Sequence, residues 1–475
     1  MIQQGIVEDL VSQIDQSIEV EGDRVKVVDV GRFRQRVHRL AEISALDVDP
    51  QRKMLARYLV RSAAQELGVF PATIAPLYFA RGRGEIPPVF SVPAINLRVL
   101  AFDGAAAVFR AARELNAGPF IFEIARSEMG YTDQKPSEYV TSVLAAAVAE
   151  GYQGPVFIQG DHFQVSAKRF ATDADGEVKA IQDLILESMA AGFFNIDIDA
   201  STMVDISRPT VPDQQRLNVE LTYEFSRFIR EHQPKGVLVS IGGEIGEVGG
   251  HNSTEEELRA FLDGYNERLH GWNSAAEGLS KVSIQTGTSH GGVVLPDGRI
   301  AQVSVDFDTM LRLSRVARFE YGLGGAVQHG ASTLPEEAFS KFADAEAVEV
   351  HLATNFMNIF YERIPEALLT EIYAYLDKNH SNERKPDMTD EQFYYKTRKY
   401  AVGPFKKDSW GLPVEVRENI GHAWEEQFRQ LFTSLAIKDN RKVVDDWIAP
   451  LEVKADLKDY QGEASGVEHV GGLAD

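Results

Sequence analysis

The chain has 475 residues, of which 44% are hydrophobic and 25% charged, a composition typical of a globular protein with ample core. Its formal net charge of −22 argues against nucleic acid and anionic membranes as partners, because both favour basic patches. The chain has no cysteine, which excludes disulfides and thiolate metal sites, so any zinc has to be held by histidine and carboxylate.

Residues 1–85 are predicted to form a helical N-terminal extension. Apolar side chains recur there at helical spacing, as in Leu55, Tyr58, Leu59 and Ala63. The N-terminus has no basic segment followed by an apolar one, and no apolar run approaches the roughly 18 residues of a membrane span. We therefore expect a cytoplasmic protein that binds no membrane.

Eight short apolar runs, separated by helical stretches, follow between residues 86 and 360. Near-continuous apolar runs are typical of a parallel sheet that is covered on both faces. Eight strand–helix units in about 260 residues match the usual size of a (β/α)8 TIM barrel, the α/β fold that we predict for 86–360. A doubly wound open sheet is the main alternative, although no Gly-x-Gly-x-x-Gly follows the first strand. The predicted strands are 89–96, 119–125, 155–162, 193–201, 237–243, 282–290, 325–330 and 348–354.

Residues 361–475 are predicted to form a helical C-terminal extension with a disordered tail from Gly462. Residues 394–407, the C-terminal arm, combine tyrosines with lysines and an arginine in an otherwise acidic chain. Such an arm either is solvated or reaches a phosphate, and Arg398 is the candidate because arginine grips phosphate through two hydrogen bonds. An amphipathic helix follows, with Trp424, Phe428, Leu431, Phe432 and Leu435 on its apolar face.

Barrel enzymes carry their chemistry at the carboxyl ends of the strands, so the residues there are the candidate site. Two of the histidines at strand ends, His290 and His329, are followed by glycine, which lets a ligand approach the backbone closely. Imidazoles that converge with a carboxylate suit zinc with an open position for substrate, and such a metal polarises a carbonyl and stabilises an adjacent enediolate. The strand-end residues are Asp161 and His162, Asp197 and Asp199, Glu244, His290, and His329.

These motifs, in this order, resemble the class II, zinc-dependent fructose- and tagatose-bisphosphate aldolase family over about residues 90–360. Residues 90–96 resemble its opening strand, Gly160-Asp161-His162 its Asp-His motif, and 243–250 its Glu-Ile-Gly loop with two glycines. Thr-Ser-His-Gly at 288–291 and Gln-His-Gly-Ala-Ser at 328–332 resemble its two His-Gly motifs.

The resemblance implies a metal site with one Zn²⁺ per chain, held by His162, His290 and His329, with Glu244 as an auxiliary ligand. A monovalent cation is a further candidate cofactor. Asp161 is then expected to engage the substrate hydroxyl at the bond that is cleaved. The residues implied in binding substrate or its phosphate are Asn96, Gly291, Gly330, Ser332, His351 and Thr354.

The sequence departs from the family's pattern at two positions of chemical interest. The family has a Glu after the glycines of its loop, where this chain has His251 and Asn252. We predict His251 as the acid/base, since an imidazole titrates near neutral pH; Glu255, Glu256 and Glu257 are competitors, although acids also favour helix N-termini. His351 stands where the family has an Asn that holds the enediolate.

The resemblance implies an aldehyde-lyase that cleaves a phosphorylated ketose in carbohydrate metabolism, as in glycolysis. It also implies a homo-oligomer, either a dimer or a tetramer. Two alternatives stay open. In the first, the chain is a non-catalytic, aldolase-like subunit that supports an enzyme. In the second, it is a metal-dependent sugar-phosphate isomerase or epimerase on the same barrel. An isomerase uses the same enediolate without breaking a carbon–carbon bond.

Overall fold

A computed structural model describes residues 4–246, 250–287, 304–332, 334–451 and 453–460. Its strands form a two-stranded antiparallel hairpin and a nine-stranded parallel sheet. The strands within the described residues are β1 (Ile18–Glu21), β2 (Arg24–Val27), β3 (Val69–Ala72), β4 (Val92–Asn96), β5 (Ile121–Ala125), β6 (Gly154–Gln164), β7 (Asn195–Asp199), β8 (Ser240–Glu244), β9 (Lys281–Ile284), β10 (Ala326–Gln328) and β11 (Glu349–Leu352).

Helices alternate with the strands of the large sheet and precede and follow it. Within the same residues the helices are α1 (Gln4–Gln13), α2 (Val30–Arg36), α3 (His38–Leu46), α4 (Pro50–Glu66), α5 (Ala75–Gly82), α6 (Ala101–Glu114), α7 (Arg126–Thr132), α8 (Pro136–Ala149), α9 (Ala167–Thr172), α10 (Ala174–Ala191), α11 (Val211–His232), α12 (Glu255–Trp272), α13 (Phe307–Tyr321), α14 (Glu336–Asp344), α15 (Thr354–Tyr361), α16 (Glu366–Asn379), α17 (Asp390–Thr397), α18 (Lys406–Trp410), α19 (Val414–Ser434) and α20 (Arg441–Trp447).

The eight strands β4 to β11 close into a barrel. Each pairs in parallel with the next, and β11 pairs back with β4. Each of the eight predicted runs overlaps one of these strands. The predicted (β/α)8 barrel is therefore confirmed, and the alternative of an open sheet is wrong. The outward-facing positions are apolar and covered by helices, as at Ile196, Ile198 and Val350, which are fully buried.

The N-terminal segment is not entirely helical. Residues 18–27 form the β1–β2 hairpin, which turns at Gly22 with a φ of 63°, a left-handed conformation that glycine adopts without steric cost. Ile18 and Val25 bury one face of it. The alternation of apolar and polar residues around a glycine indicates such a hairpin. The prediction of a helical extension over residues 1–85 missed it.

Strand β3 connects the N-terminal segment to the barrel. It pairs in parallel with the first half of β6, from Gly154 to Phe157, whereas β7 pairs with β6 from Gln159 onward. Backbone hydrogen bonds therefore join this segment to the barrel sheet at the amino end of β6.

The C-terminal segment packs on the barrel through α19. Trp424 is fully buried and its indole Nε1 donates to the carbonyl of Phe356, at 2.9 Å. Phe432 stacks on Phe120 with ring centroids 5.6 Å apart. The predicted amphipathic face of this helix is thus its packed face. Among the described residues, we find no helix with the length and apolar character that crossing a bilayer requires.

Candidate active site

Asp161 and His162 lie in a β-bulge at the carboxyl end of β6. Gly160 and Phe163 pair with residues of β7 that are only two apart, so two residues of β6 oppose one of β7. His162 has a φ of 39°, which is uncommon for a residue other than glycine. A side chain at Gly160 would meet the ring of Phe163 at 2.4 Å, so glycine is required there. Because a bulge re-aims side chains, two successive residues both contact groups inside the barrel.

The imidazoles of His162 and His329 face each other. Nε2 of His162 lies 3.0 Å from Nδ1 of His329, and both residues are buried. The other ring nitrogen of His329 lies 2.9 Å from the hydroxyl of Ser283 on β9. Two ring nitrogens at this distance share either a proton or a metal ion, because two lone pairs, or two N–H groups, would repel each other.

Two carboxylates hold the far side of the His162 ring. Asp199 Oδ2 and Glu244 Oε2 each lie 3.1 Å from its Nδ1. Burial would raise the pKa of Asp199, but hydrogen bonds from His162, Ser201 and Gln164 outweigh burial and lower it. Burial, together with the charge of Asp199, raises the pKa of Glu244 to about 7. The carboxylates fix the ring so that Nε2 points to His329.

This donor set fits a divalent metal. Asp161, His162 and His329 each offer one ligand atom, and these atoms lie within 4.8 Å of one another. Nitrogen and carboxylate oxygen donors are those that zinc takes in cysteine-free sites, and a ligating histidine commonly donates its second N–H to a carboxylate, as His162 does to Asp199. The predicted third imidazole, His290, and the predicted phosphate-binding Gly291 lie outside the described residues.

His351 joins the cluster from β11. Its ring lies 4.1 Å from that of His329, centroid to centroid. Its Nε2 lies 2.7 Å from Glu349, and its Nδ1 lies 2.9 Å from Glu123 and 3.2 Å from Asp161. The residue that stands in the place of the family's Asn therefore contacts the carboxylate that was expected to engage the substrate.

A second layer of polar side chains lies deeper in the barrel, toward the amino ends of the strands. Lys281 Nζ contacts Asp197 at 2.9 Å and Gln159 at 2.7 Å, and it also contacts Glu349. The strands β7, β9 and β11 are not neighbours, so these side chains meet in the barrel interior. The sequence analysis named Asp197 but missed Lys281, Gln159 and Glu349. The signal of this layer is charge at every second position of a buried strand, as in Glu349-x-His351.

Asn96, expected in substrate binding, lies at the carboxyl end of β4. Its side-chain nitrogen donates to Glu128 at 2.6 Å. Arg98 pairs with the other oxygen of Glu128, also at 2.6 Å. Glu128 thus holds the amide and the guanidinium together on this side of the barrel.

Ser332 and Thr354, expected at the phosphate, come together where β10 and β11 end. The Ser332 hydroxyl accepts a hydrogen bond from the backbone N–H of Ala353 at 2.6 Å, and Thr354 is the first residue of α15. Gly330, two residues before Ser332, has a φ of 69°. A cavity of about 220 Å³ adjoins Ser332, Ala353 and Asn355, and α19 forms its outer wall.

His251 and Arg398 are the predicted site residues whose described contacts lie elsewhere. The His251 side chain is 55% exposed, with its Nδ1 2.8 Å from the carbonyl of Asn252. Arg398 lies over the rings of Tyr395 and Tyr361, at 4.1 and 5.1 Å, and donates to the side chain of Asn358 in α15.

The three glutamates that compete with His251 belong to the first turn of α12. Glu257 accepts hydrogen bonds from the backbone N–H and hydroxyl of Thr254, at 2.7 and 2.9 Å, in a capping box. Glu255 pairs with Arg259 at 2.9 Å. These contacts are typical of a helix N-terminus, where the helix dipole favours acidic residues.

Comparison with known proteins identifies the fold and one family. The profile of the family described as "Fructose-bisphosphate aldolase class-II" matches residues 89–409. A structure of a probable tagatose 6 phosphate kinase from Sinorhizobium meliloti 1021 is 14% identical, with a TM-score of 0.53, covering 72% of this chain and 100% of that one. This likeness concerns the fold alone.

Two further structures are similar over most of the chain. The YdjI aldolase from Escherichia coli K12 is 12% identical, covering 78% of this chain and 98% of its own, with a TM-score of 0.45. The fructose-bisphosphate aldolase from Campylobacter jejuni is 16% identical, covering 78% and 96%, also with a TM-score of 0.45. A search of curated proteins gave no match.

Proposed function

The chain belongs to the class II fructose-bisphosphate aldolase family, and from this premise we propose that it is a metal-dependent aldehyde-lyase acting on a phosphorylated ketose. The observation that carries the proposal is the pair of facing ring nitrogens of His162 and His329, 3.0 Å apart, with Asp161 beside them. They lie at the carboxyl end of the barrel strands, where barrel enzymes carry their chemistry.

We infer that His162, His329 and the predicted His290 hold one Zn²⁺. Glu244 contacts Nδ1 of His162 at 3.1 Å, on the side away from His329, and its role as an auxiliary ligand stays a prediction. When bound, the ion supplies a Lewis acid for the ketose carbonyl. The contact of His162 Nδ1 with Asp199 at 3.1 Å supports this assignment, because it turns Nε2 toward His329 and the proposed metal position.

Asp161 is the proposed base for cleavage. Its carboxylate takes the proton from the hydroxyl next to the bond that breaks, the electrons of that bond remain on the ketose fragment as an enediolate, and an aldehyde leaves. In the direction of synthesis Asp161 returns the proton. His351 Nδ1, 3.2 Å from Asp161 Oδ1, orients the carboxylate. His251 stays the proposed group that protonates the enediolate carbon.

The substrate phosphate is proposed to bind where β10 and β11 end, against Gly330 and Ser332 together with Gly291. Loops after the seventh and eighth strands are the usual phosphate site of such barrels. Thr354, at the N-terminus of α15, and Asn96, at the end of the neighbouring strand β4, complete the proposed substrate site. Arg398 is the proposed cation for a second phosphate. Its hydrogen bond to Asn358 links it to α15, the helix that begins with Thr354.

The test is release of an aldehyde from phosphorylated ketoses by zinc-loaded protein. Fructose 1,6-bisphosphate and tagatose 1,6-bisphosphate come first, followed by monophosphates, with the triose products measured by a coupled assay. We expect cleavage of at least one ketose and its loss in Asp161→Asn. The matched control is His422→Ala, an exposed histidine on α19.

Conversion of a ketose to an isomer without aldehyde release would overturn the lyase assignment in favour of an isomerase. Absence of any product, with zinc bound, would overturn it in favour of a supporting subunit. The expected homo-oligomer stays a prediction, which sedimentation of the same preparation tests.

A further inference from the structure

A cavity lies between the ends of β10 and β11 and the helices α14, α15 and α19; we call it the α19 cavity. Its volume is about 220 Å³, and the described residues that line it include none of the histidines of the metal site. Apart from Ser332 at its inner end, these lining residues belong to no site proposed above. An apolar cavity of about 150 Å³ takes up a benzene ring, so the α19 cavity has room for a six-membered ring with substituents.

One part of its lining is apolar. Phe339 comes from α14, Phe356 from α15 and Leu431 from α19, and each of these side chains is more than nine-tenths buried. Apolar surface in a concave site supplies much of the binding energy for a small molecule, while a few polar groups fix its orientation. The carbon skeleton of a ligand can therefore pack against this part of the lining.

The amides of the polar part are oriented by a chain of hydrogen bonds. Asn355 Nδ2 donates to Gln427 Oε1 at 2.9 Å, and Gln427 Nε2 donates to Gln430 Oε1 at 3.4 Å. Asn358, which accepts from Arg398, donates in turn to Asn355 Oδ1 at 3.4 Å. Each amide oxygen of the lining thus accepts one hydrogen bond. Gln430 ends the chain, and its own N–H groups have no protein acceptor in the part of the chain that the structure describes.

The rim of the α19 cavity adds acceptors. Of the described residues that line it, Glu336 alone carries a charge, and this first residue of α14 is exposed. Ser434, the last residue of α19, adds a hydroxyl that both donates and accepts. An anion would be repelled by Glu336, and a cation would leave the amide donors without partners. Hydroxyl groups satisfy both kinds of partner, because each of them donates one hydrogen bond and accepts others.

We propose that the α19 cavity binds an uncharged, polyhydroxylated ring, that is, a monosaccharide or a cyclic polyol. Its hydroxyls accept from the amide of Gln430 and donate to the carboxylate of Glu336, and the C–H groups of the ring pack against Phe339 and Phe356. Size, neutral charge and the mixture of donors and acceptors all support this class of ligand.

A groove connects the α19 cavity with the surface. Its volume is about 610 Å³, and it continues along α19 past Ile359 and Arg363. The residues that the groove shares with the cavity are Glu336, Gln427, Gln430 and Ser434. A ligand that enters through the groove does not have to displace a substrate at the metal site. The inference therefore goes beyond the proposed function and does not rest on it.

The experiment is a binding measurement on full-length protein. Metal is first removed with a chelator, so that no sugar can bind through zinc. Saturation-transfer NMR and calorimetric titration then use D-glucose, D-fructose and myo-inositol as three uncharged probes. We expect saturable binding of at least one of them. A wild-type protein that binds none of the three would overturn the proposal.

Two variants of α19 locate the bound ring. Gln430→Leu removes the amide donors with little change in size and should weaken binding about tenfold, because two hydrogen bonds are lost. Ser434→Trp fills the cavity and should abolish binding. The matched control is Ser274→Trp, which places the same ring at an exposed position after α12 and should bind as the wild type does. Wild-type affinity in both α19 variants would place the sugar elsewhere and overturn the proposal.

The two proposals fail separately, because the binding measurement needs neither zinc nor turnover. A wild type that cleaves a ketose but binds none of the probes would remove the sugar site and leave the aldolase assignment intact. Saturable binding that is lost in Ser434→Trp, without cleavage of any ketose, would do the reverse.

Discussion

The barrel mouth buries charged side chains and the C-terminal arm half-buries them, and the two regions compensate the charge in opposite ways. At the mouth, His162 contacts Asp199 and Glu244, each at 3.1 Å, and His351 contacts further carboxylates. In the arm, Arg398 lies over two tyrosine rings, and Lys399 lies 5.8 Å over the ring of Tyr131.

The difference indicates which ligand each region favours. A carboxylate neutralises a cation, so the mouth, where carboxylates outnumber cations, attracts metal ions. An aromatic ring attracts a cation without cancelling its charge, so the arm retains positive potential that a phosphate can use. We therefore expect changes at the mouth to alter metal content and kcat, and changes in the arm to alter KM.

The largest effect is expected from His329→Ala. Loss of one of the two facing imidazoles should remove the bound zinc and lower kcat/KM by about 10³-fold or more, since a Lewis acid contributes several kcal/mol. Zinc content and ketose cleavage are measured on the same preparation. The exposed His270→Ala serves as control. Retention of full zinc by His329→Ala would rule His329 out as a ligand.

Asp161→Asn separates proton transfer from metal binding. The amide keeps the shape of the side chain but cannot take a proton, so kcat should fall by roughly 10²–10⁴-fold while zinc stays at the His162–His329 site. Steady-state kinetics and metal analysis give the two readouts. A variant with near-normal kcat would show that another group is the base.

His251→Ala tests whether the chemistry is confined to the buried mouth. If the exposed imidazole protonates the enediolate, kcat should fall by about 10²-fold and its dependence on pH should change, with zinc unchanged. The pH dependence of kcat is the measurement. An unchanged profile would move the search to His351.

Arg398→Ala tests the arm. Loss of the guanidinium should raise KM for a bisphosphate about ten- to a hundredfold, because charge-assisted hydrogen bonds to phosphate are worth roughly 1.5–3 kcal/mol, with kcat and zinc retained. The matched control is Arg384→Ala. Arg384 also stacks on an aromatic ring next to the arm, but it is paired with Asp377 and Asp390. Equal kinetics in both variants would make the arm structural.

The smallest effect concerns Lys399 and stability. Burial, and then the charge of Arg98, lower the pKa of Lys399 from 10.5 to about 8. Between these two values the unfolded chain binds more protons than the folded one, so this lysine's contribution to stability rises as pH rises. At pH 7 the folded chain carries the full cost of burying the charged amine.

Lys399→Met should therefore raise the melting temperature at pH 7, by a few degrees at most, since 1 kcal/mol moves it by roughly 2–4 °C in a domain of about 150–250 residues and by less in a larger chain. The difference should disappear above about pH 11, where both states hold the amine neutral. Calorimetric melts at the two pH values measure it. A variant less stable at pH 7 would mean that the ammonium makes favourable contacts in the folded chain.

The sequence by itself determined the eight barrel strands and the ends at which the histidines lie. Strands buried on both faces read as apolar runs, and side chains at their carboxyl ends have to meet at one mouth, so strand order and strand ends followed from local pattern. His162 and His329 were found in this way. The hairpin at 18–27 was not predicted, because the helical spacing of the flanking segments was assumed to continue through it.

Only the tertiary structure decided which charges meet. Strand periodicity alone sends Asp161 and His162 to opposite faces, and the bulge that brings both inward depends on pairing with β7. The contacts among Lys281, Asp197 and Glu349 join strands that are not adjacent, so they appear only once the barrel closes. Likewise the stacking of Arg398 depends on a tyrosine 37 residues earlier, Tyr361. Partners far apart in sequence leave no local pattern, because closure of the sheet, and not the chain around each residue, sets their distance.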